Sequence, residues 1–158
     1  MQNVRPANSK DIDFIYSSLK EDLEEQGVLH RFNYSKESFK SMIFCEQPIA
    51  YFLILIIEGE PAGFVNYAID NRNFTVNNPS KNLYINDLFV RKEYRRKKGA
   101  TLLMEEIKKI AVVEGCGRIE GFVLANNSIS LSFYRDYLKA EIISEDLHCM
   151  RIRVSPTV

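Results

Sequence analysis

Tyr51-Phe52-Leu53-Ile54-Leu55-Ile56-Ile57 is an unbroken apolar run, dense in β-branched and aromatic side chains. Such a run reads as a buried strand, so the fold has a sheet at its centre. Glu58-Gly59-Glu60 is a turn signal directly after it, and Ala62 to Ile69 supplies the returning strand of a hairpin. The polar, Asn-rich stretch Asn71 to Asn82 reads as a loop, and Leu83 to Val90 as the next strand.

The flanking segments change period. Val4 to Ala7 reads as a short first strand, and Asn8 or Ser9 offers a helix cap with Asp11 in the first turn, where the helix dipole favours an acid. Ile12, Ile15, Tyr16, Leu19 and Leu23 then recur at helical spacing. Ser35 is a second cap, ahead of Phe39, Met42 and Ile43. Downstream, Ala100 to Glu114 carries Leu103, Ile107, Ile110 and Ala111 on one face, with Gly115 and Gly117 to end it. Arg118 to Leu124 reads as a strand, Ile129 to Tyr137 as a short helix, and Glu141 to Val154 as one or two closing strands. The order is strand, two helices, three strands, helix, strand, helix, strands. A hairpin leading into a β-α-β unit makes a mixed α/β layer protein, and 158 residues without repeat or linker suit one domain over 1–158.

Composition mainly excludes. Lys+Arg and Asp+Glu are equal at 21 each, which argues against a nucleic-acid partner held by bulk charge. Cys45, Cys116 and Cys149 are scattered, and His30 and His148 lack ligand spacing, so neither a disulfide framework nor a metal is expected. Met1 to Pro6 lacks a secretory apolar region, and the run Ile49 to Ile57 is too short to span a bilayer. A cytoplasmic protein with no membrane partner is the expectation.

The chemistry is concentrated after Asn86. A strand ends at Val90, a loop carrying Arg95, Arg96, Lys97 and Lys98 follows, and a helix begins near Gly99-Ala100-Thr101. A helix start presents unpaired N–H groups and the positive end of the dipole, and it stabilises an anionic phosphate. Small residues there let a ligand approach the backbone. On these grounds the loop reads as a phosphate or diphosphate site; a solvated basic turn and a nucleic-acid patch are the competing readings.

The stretch from Asp87-Leu88-Phe89-Val90 through Tyr94 to Leu103 resembles the acetyl-CoA motif of the GNAT acetyltransferase superfamily, whose loop pattern is Q/R-x-x-G-x-G/A. Arg95 takes the first position and Ala100 the last, so Lys98 stands where the family has glycine. A shifted register would place Arg96 first, Gly99 on the glycine and Thr101 last. Val123 to Tyr134 resembles the family's "V-x-x-x-N-x-x-A-x-x-F-Y" segment. Asn127 matches the asparagine that contacts the pantetheine arm or caps the helix, Phe133 the packing residue, and Tyr134 the tyrosine that protonates the departing thiolate. Lys139 replaces a glycine of the usual continuation. Pro61 to Val65 and Leu83 to Val90 are similar to the diamine (spermidine/spermine) and thialysine acetyltransferase branch, in which a Glu-Asp pair holds a cationic amine; here the pair is Asn86-Asp87.

The resemblance implies a GNAT-like single domain, a mixed central sheet flanked by about four helices. It implies acetyl-CoA as cosubstrate, along Leu88, Phe89 and Val90, the loop Arg95 to Thr101, Asn127, Ser130 and Tyr134. It implies a small-molecule amine acceptor at Asn86 and Asp87, catalysis by Tyr134 and Asp87, and a homodimer. A lysine-like amine titrates at ~10.4, so exposing its lone pair at pH 7 costs about 4.6 kcal/mol. Asp87 is the candidate to bind that amine and to remove its proton through water. Two alternatives stand beside this: acetylation of a protein N-terminus or lysine, and a non-catalytic CoA-binding module.

Overall fold

The computed structural model describes residues 1–70 and 81–142. They fall into two compact units, one from Met1 to Phe122 and one from Val123 onward.

In the first unit, β1 (Gln2–Pro6), β2 (Tyr51–Ile57), β3 (Glu60–Asp70), β4 (Lys81–Val90) and β5 (Cys116–Gly121) form one sheet in sequence order. The first three pairings are antiparallel and β4 with β5 is parallel. The fold is therefore α/β with a mixed five-stranded sheet. The apolar run of β2 takes the span expected for it, between β1 and β3. Alternation then sends its side chains to two faces. On one face Phe52 and Ile54 join Phe64 and Phe89 beneath α1 (Ile12–Glu25) and α2 (Lys36–Ile43), which contribute Ile12, Ile15, Leu19, Phe39 and Ile43. On the other, Leu55 lies against α3 (Gly99–Val113), which buries Leu103, Met104, Ile107 and Ala111.

The caps follow the sequence. Asn8 accepts from Lys10 N–H and closes a capping box with Asp11, ahead of a 3-10 turn at Ser9–Asp11 that runs into α1. Ser35 caps α2 by accepting from Ser38 N–H at 3.1 Å.

Several boundaries shift. β4 begins at Lys81, because Asn82 is fully buried and donates to Asp70 Oδ1 at 3.2 Å; Lys81 and Asn82 therefore leave the expected loop. β5 spans Cys116–Gly121 rather than Arg118 to Leu124, since its register is imposed by β4, from Lys81↔Cys116 to Ile85↔Gly121. Gly115, at φ +70, ends α3, whereas Gly117 belongs to β5. In the second unit α4 (Ser128–Leu131) continues as one π turn, Ser132–Tyr137. The loop 71–80 and the closing strands expected after Ile142 lie outside the described residues.

Candidate functional site

β3 and β4 slip out of register at one point. Asn66 pairs with Asp87 and Tyr67 with Ile85, so Asn86 has no partner across the ladder and forms a bulge. A bulge re-aims side chains that strict alternation would send to opposite faces. Accordingly both neighbours reach the same residue: Asn86 Nδ2 donates to Asn66 Oδ1, and Asn66 Nδ2 donates to Asp87 Oδ2, each at 3.0 Å. Asp87 is half-buried, and burial pushes its carboxyl up from the ordinary carboxylate range while the Asn66 hydrogen bond pulls it down. Asn66 is buried inside the otherwise apolar run Pro61 to Ile69 of β3, and an asparagine inside such a run was the signal for it.

β5 stops pairing with β4 at Ile85↔Gly121, while β4 continues to Val90. Among the described residues no strand pairs with the β5 side of β4 from Asn86 through Leu88, Phe89 and Val90. That backbone edge offers ladder-type donors and acceptors to an extended ligand.

The loop after Val90 separates its four basic residues. Arg95 is anchored: its Nη2 donates to both Glu25 oxygens at 3.0 and 2.8 Å, and its Nε donates to Val90 O at 2.7 Å. Arg96, Lys97 and Lys98 are exposed, with Lys97 over the Tyr94 ring. Lys98 is the N-cap of α3 in the left-handed conformation, φ 61, and no side chain caps this end. Leu102 N–H makes a first i→i−4 bond, to Lys98 O, so the N–H groups of Gly99, Ala100 and Thr101 lie ahead of the helical ladder. Those donors, the dipole and three exposed cations fit a diphosphate. Gly99 serves packing rather than ligand approach: a Cβ there would meet Leu55 Cδ2 at 2.5 Å.

In the second unit Asn127 Oδ1 accepts from Ser130 N–H at 3.1 Å, so Asn127 caps α4. Phe133 packs edge-on against Tyr134 and stacks on Tyr137. Lys139 follows the π turn at φ 59.

A buried acid that sequence reasoning missed lies on α1, on the stripe that covers the Phe64–Phe89 face of the sheet. Asp22 is on α1 at 7% exposure, and burial lifts its carboxyl to about 7, with the Asp87 charge adding to the rise. Its signal was its place on the apolar stripe Ile15, Leu19, Asp22. No group of three or more metal-ligating side chains occurs among the described residues, and none of their helices is long and apolar enough to cross a membrane.

The sequence profile of the acetyltransferase (GNAT) family matches residues 12–138. The chain is 25% identical to a thialysine N-epsilon-acetyltransferase of Bos taurus, covering 94% of this chain and 90% of that protein. It is 23% identical to an L-ornithine N5-acetyltransferase of Arabidopsis thaliana, covering 90% and 80%. Among solved structures, the aminoglycoside N-acetyltransferase AAC(6')-Iy in complex with CoA superposes with a TM-score of 0.73 at 16% identity, covering 98% and 96%.

Proposed function

The chain belongs to the acetyltransferase (GNAT) family, and from that membership we propose that it acetylates the terminal primary amine of a small, diamine-like molecule. It is an acyl-CoA-dependent N-acetyltransferase, with acetyl-CoA as its cosubstrate. The observation that carries the acceptor reading is the Asn86–Asn66–Asp87 network, a half-buried carboxylate oriented by amides at the bulge of β4. A carboxylate so placed favours an ammonium over a neutral group. The relatives support the same class, since thialysine and ornithine each present an amine at the end of a chain.

In this reading acetyl-CoA supplies the activated acetyl thioester. Its diphosphate is held by the first-turn N–H groups of α3 with Arg96, Lys97 and Lys98, and its extended arm lies along Leu88 to Val90. Asn127, which caps α4 by accepting from Ser130 N–H, is with Ser130 a proposed contact of the cosubstrate. Asp87 binds the ammonium and orients the nitrogen, Asn86 shapes the same pocket, and a backbone N–H near Val90 stabilises the developing oxyanion. Tyr134 donates its phenolic proton to the sulfur. One domain over 1–158, a homodimer and a cytoplasmic setting complete the proposal; the family profile runs across both compact units, which supports the first of these.

An amine panel with thiol-release detection tests it. Thialysine, L-ornithine and 1,5-diaminopentane should be acetylated at kcat/KM above that for N-terminal and lysine peptides. Preference for the peptides, or thiol release without any acetylated amine, overturns the small-molecule reading.

A further inference from the structure

α1 packs over β3 and β4 on the face that carries Phe64 and Phe89. Two polar side chains one turn apart on α1, Ser18 and Asp22, are buried in that packing at 0% and 7% exposure. Ser18 Oγ and Asp22 Oδ2 have no hydrogen-bond partner among the described residues. A buried, half-satisfied carboxyl is costly, and such a group in a native fold calls for a reason. The charges around Asp22 come from three elements. Asp87 on β4 and Glu25 on α1 repel its anion; Arg95, in the loop after β4, attracts it; and Gln26 hydrogen-bonds it. Arg95 is committed to Glu25, and Arg91 of the same loop lies 3.9 Å from Glu21. Phe64 and Phe89 pair across the ladder, and so do Asn66 and Asp87 two residues along each strand, so alternation puts Asp87 on the face that α1 covers with Ile15, Leu19 and Asp22.

We propose that Asp22 is the proton acceptor of the transfer reaction, acting through Asp87 as a positioning residue and not by touching substrate. The inference rests on the acceptor reading of Asp87. The ammonium docks on Asp87; one N–H bond breaks and an O–H bond forms on Asp87. The proton then passes to the Asp22 carboxylate, and Asp87 is again an anion. The freed lone pair forms the N–C bond to the acetyl carbon while the C–S bond breaks and its electron pair leaves on sulfur. The second nitrogen proton then leaves to solvent, solvent returns a proton to the Tyr134 phenolate, and Asp22 releases its proton to solvent, so the cycle closes. A carboxyl lifted to about 7 suits this task, because near neutral pH it is ionised enough to accept a proton and more basic than an ordinary carboxylate.

The test is the pH profile of kcat/KM with 1,5-diaminopentane and with thialysine, for wild type, Asp22→Asn and Asp87→Asn. Wild type should reach a plateau just above pH 7. Asp22→Asn should lose about 10²-fold at pH 7 and rise with unit slope toward the amine pKa of ~10.4. There free amine is abundant, so the deficit should close. KM should stay within about threefold, whereas Asp87→Asn should raise it, a split that separates the two roles. If Asp87→Asn leaves KM unchanged, the acceptor reading fails. If it raises KM but Asp22→Asn runs parallel to wild type at every pH, only the relay fails. Asp22→Leu, apolar and of similar size, should give the same profile as Asn and guards against misfolding of the first variant. Infrared difference spectroscopy on the free protein adds a reading without acceptor: a protonated-carboxyl band should titrate near neutrality and vanish in Asp22→Asn. Its persistence in the variant would overturn the assignment.

Discussion

Lys98 and Lys139 stand at the two positions where the family pattern has glycine, and both adopt left-handed backbone, φ 61 and 59. Glycine takes that conformation freely, whereas a side chain costs roughly 1–2 kcal/mol. The chain carries a lysine in left-handed backbone at both positions at this cost. Tyr134 is the residue on which the proposed proton delivery rests. Tyr134→Phe retains the ring that packs on Phe133, so the fold should hardly change. Loss of the hydroxyl should lower kcat by roughly 10²-fold with KM for acetyl-CoA nearly constant. A kcat within about twofold of wild type, measured where chemistry limits turnover, makes Tyr134 a packing residue. The motif reading reached Tyr134, Asn127 and Asp87 because each follows a local pattern. It missed Asn66, which lies 21 residues before Asp87 and meets it only through strand register.

The start of α3 shows why four consecutive basic residues are not equivalent. Arg95 Nη2 donates to both carboxylate oxygens of Glu25 on α1, and its Nε holds Val90 O. Arg96, Lys97 and Lys98 remain exposed beside an uncapped helix end. Calorimetry should therefore show weaker acetyl-CoA binding in Arg96→Ala/Lys98→Ala, with the loss shrinking as salt rises. Arg95→Ala should act mainly on stability, with a smaller effect on affinity. Equal losses of affinity in both variants would mean that Arg95 leaves Glu25 for the ligand. The strand–loop–helix itself was legible in sequence, since its signals lie within some 20 residues. The side on which β4 loses its neighbour was not, because it depends on where β5 stops.

For the whole molecule, two buried acids pull stability in opposite directions with pH. Arg5 donates to Asp11 at 2.7 and 2.8 Å and Asn8 N–H adds a third bond, so the Asp11 carboxyl lies below its ordinary range, led by the Arg5 hydrogen bonds. A depressed folded-state pKa gives stability that is present above the unfolded value of ~3.9 and lost as pH falls below it. Asp22 is the opposite case. Its folded-state pKa of about 7 exceeds the unfolded value, so the folded state binds its proton more tightly and stability fades as pH rises from ~4 to ~7. A shift of that size corresponds to something on the order of 4 kcal/mol. Denaturant unfolding across pH should show maximal stability on the acid side of neutrality. Asp22→Asn should flatten the fall between about pH 5 and 7; if both proteins decline in parallel, Asp22 is not the group responsible.

The sequence by itself determined the elements and the family. Apolar period, caps at Asn8 and Ser35, the run Tyr51–Ile57 and two spaced motifs are local patterns, and local patterns survive in one dimension. Tertiary structure decided the rest. Register between β3 and β4 produced the bulge at Asn86 and joined Asn66 to Asp87. Packing of α1 on the sheet buried Asp22 over the face that carries Asp87, committed Arg95 to Glu25, and left the proton of a buried carboxyl to be set by neighbours far away in the chain. A carboxyl's titration depends on burial and nearby charge, and both are properties of the assembled fold.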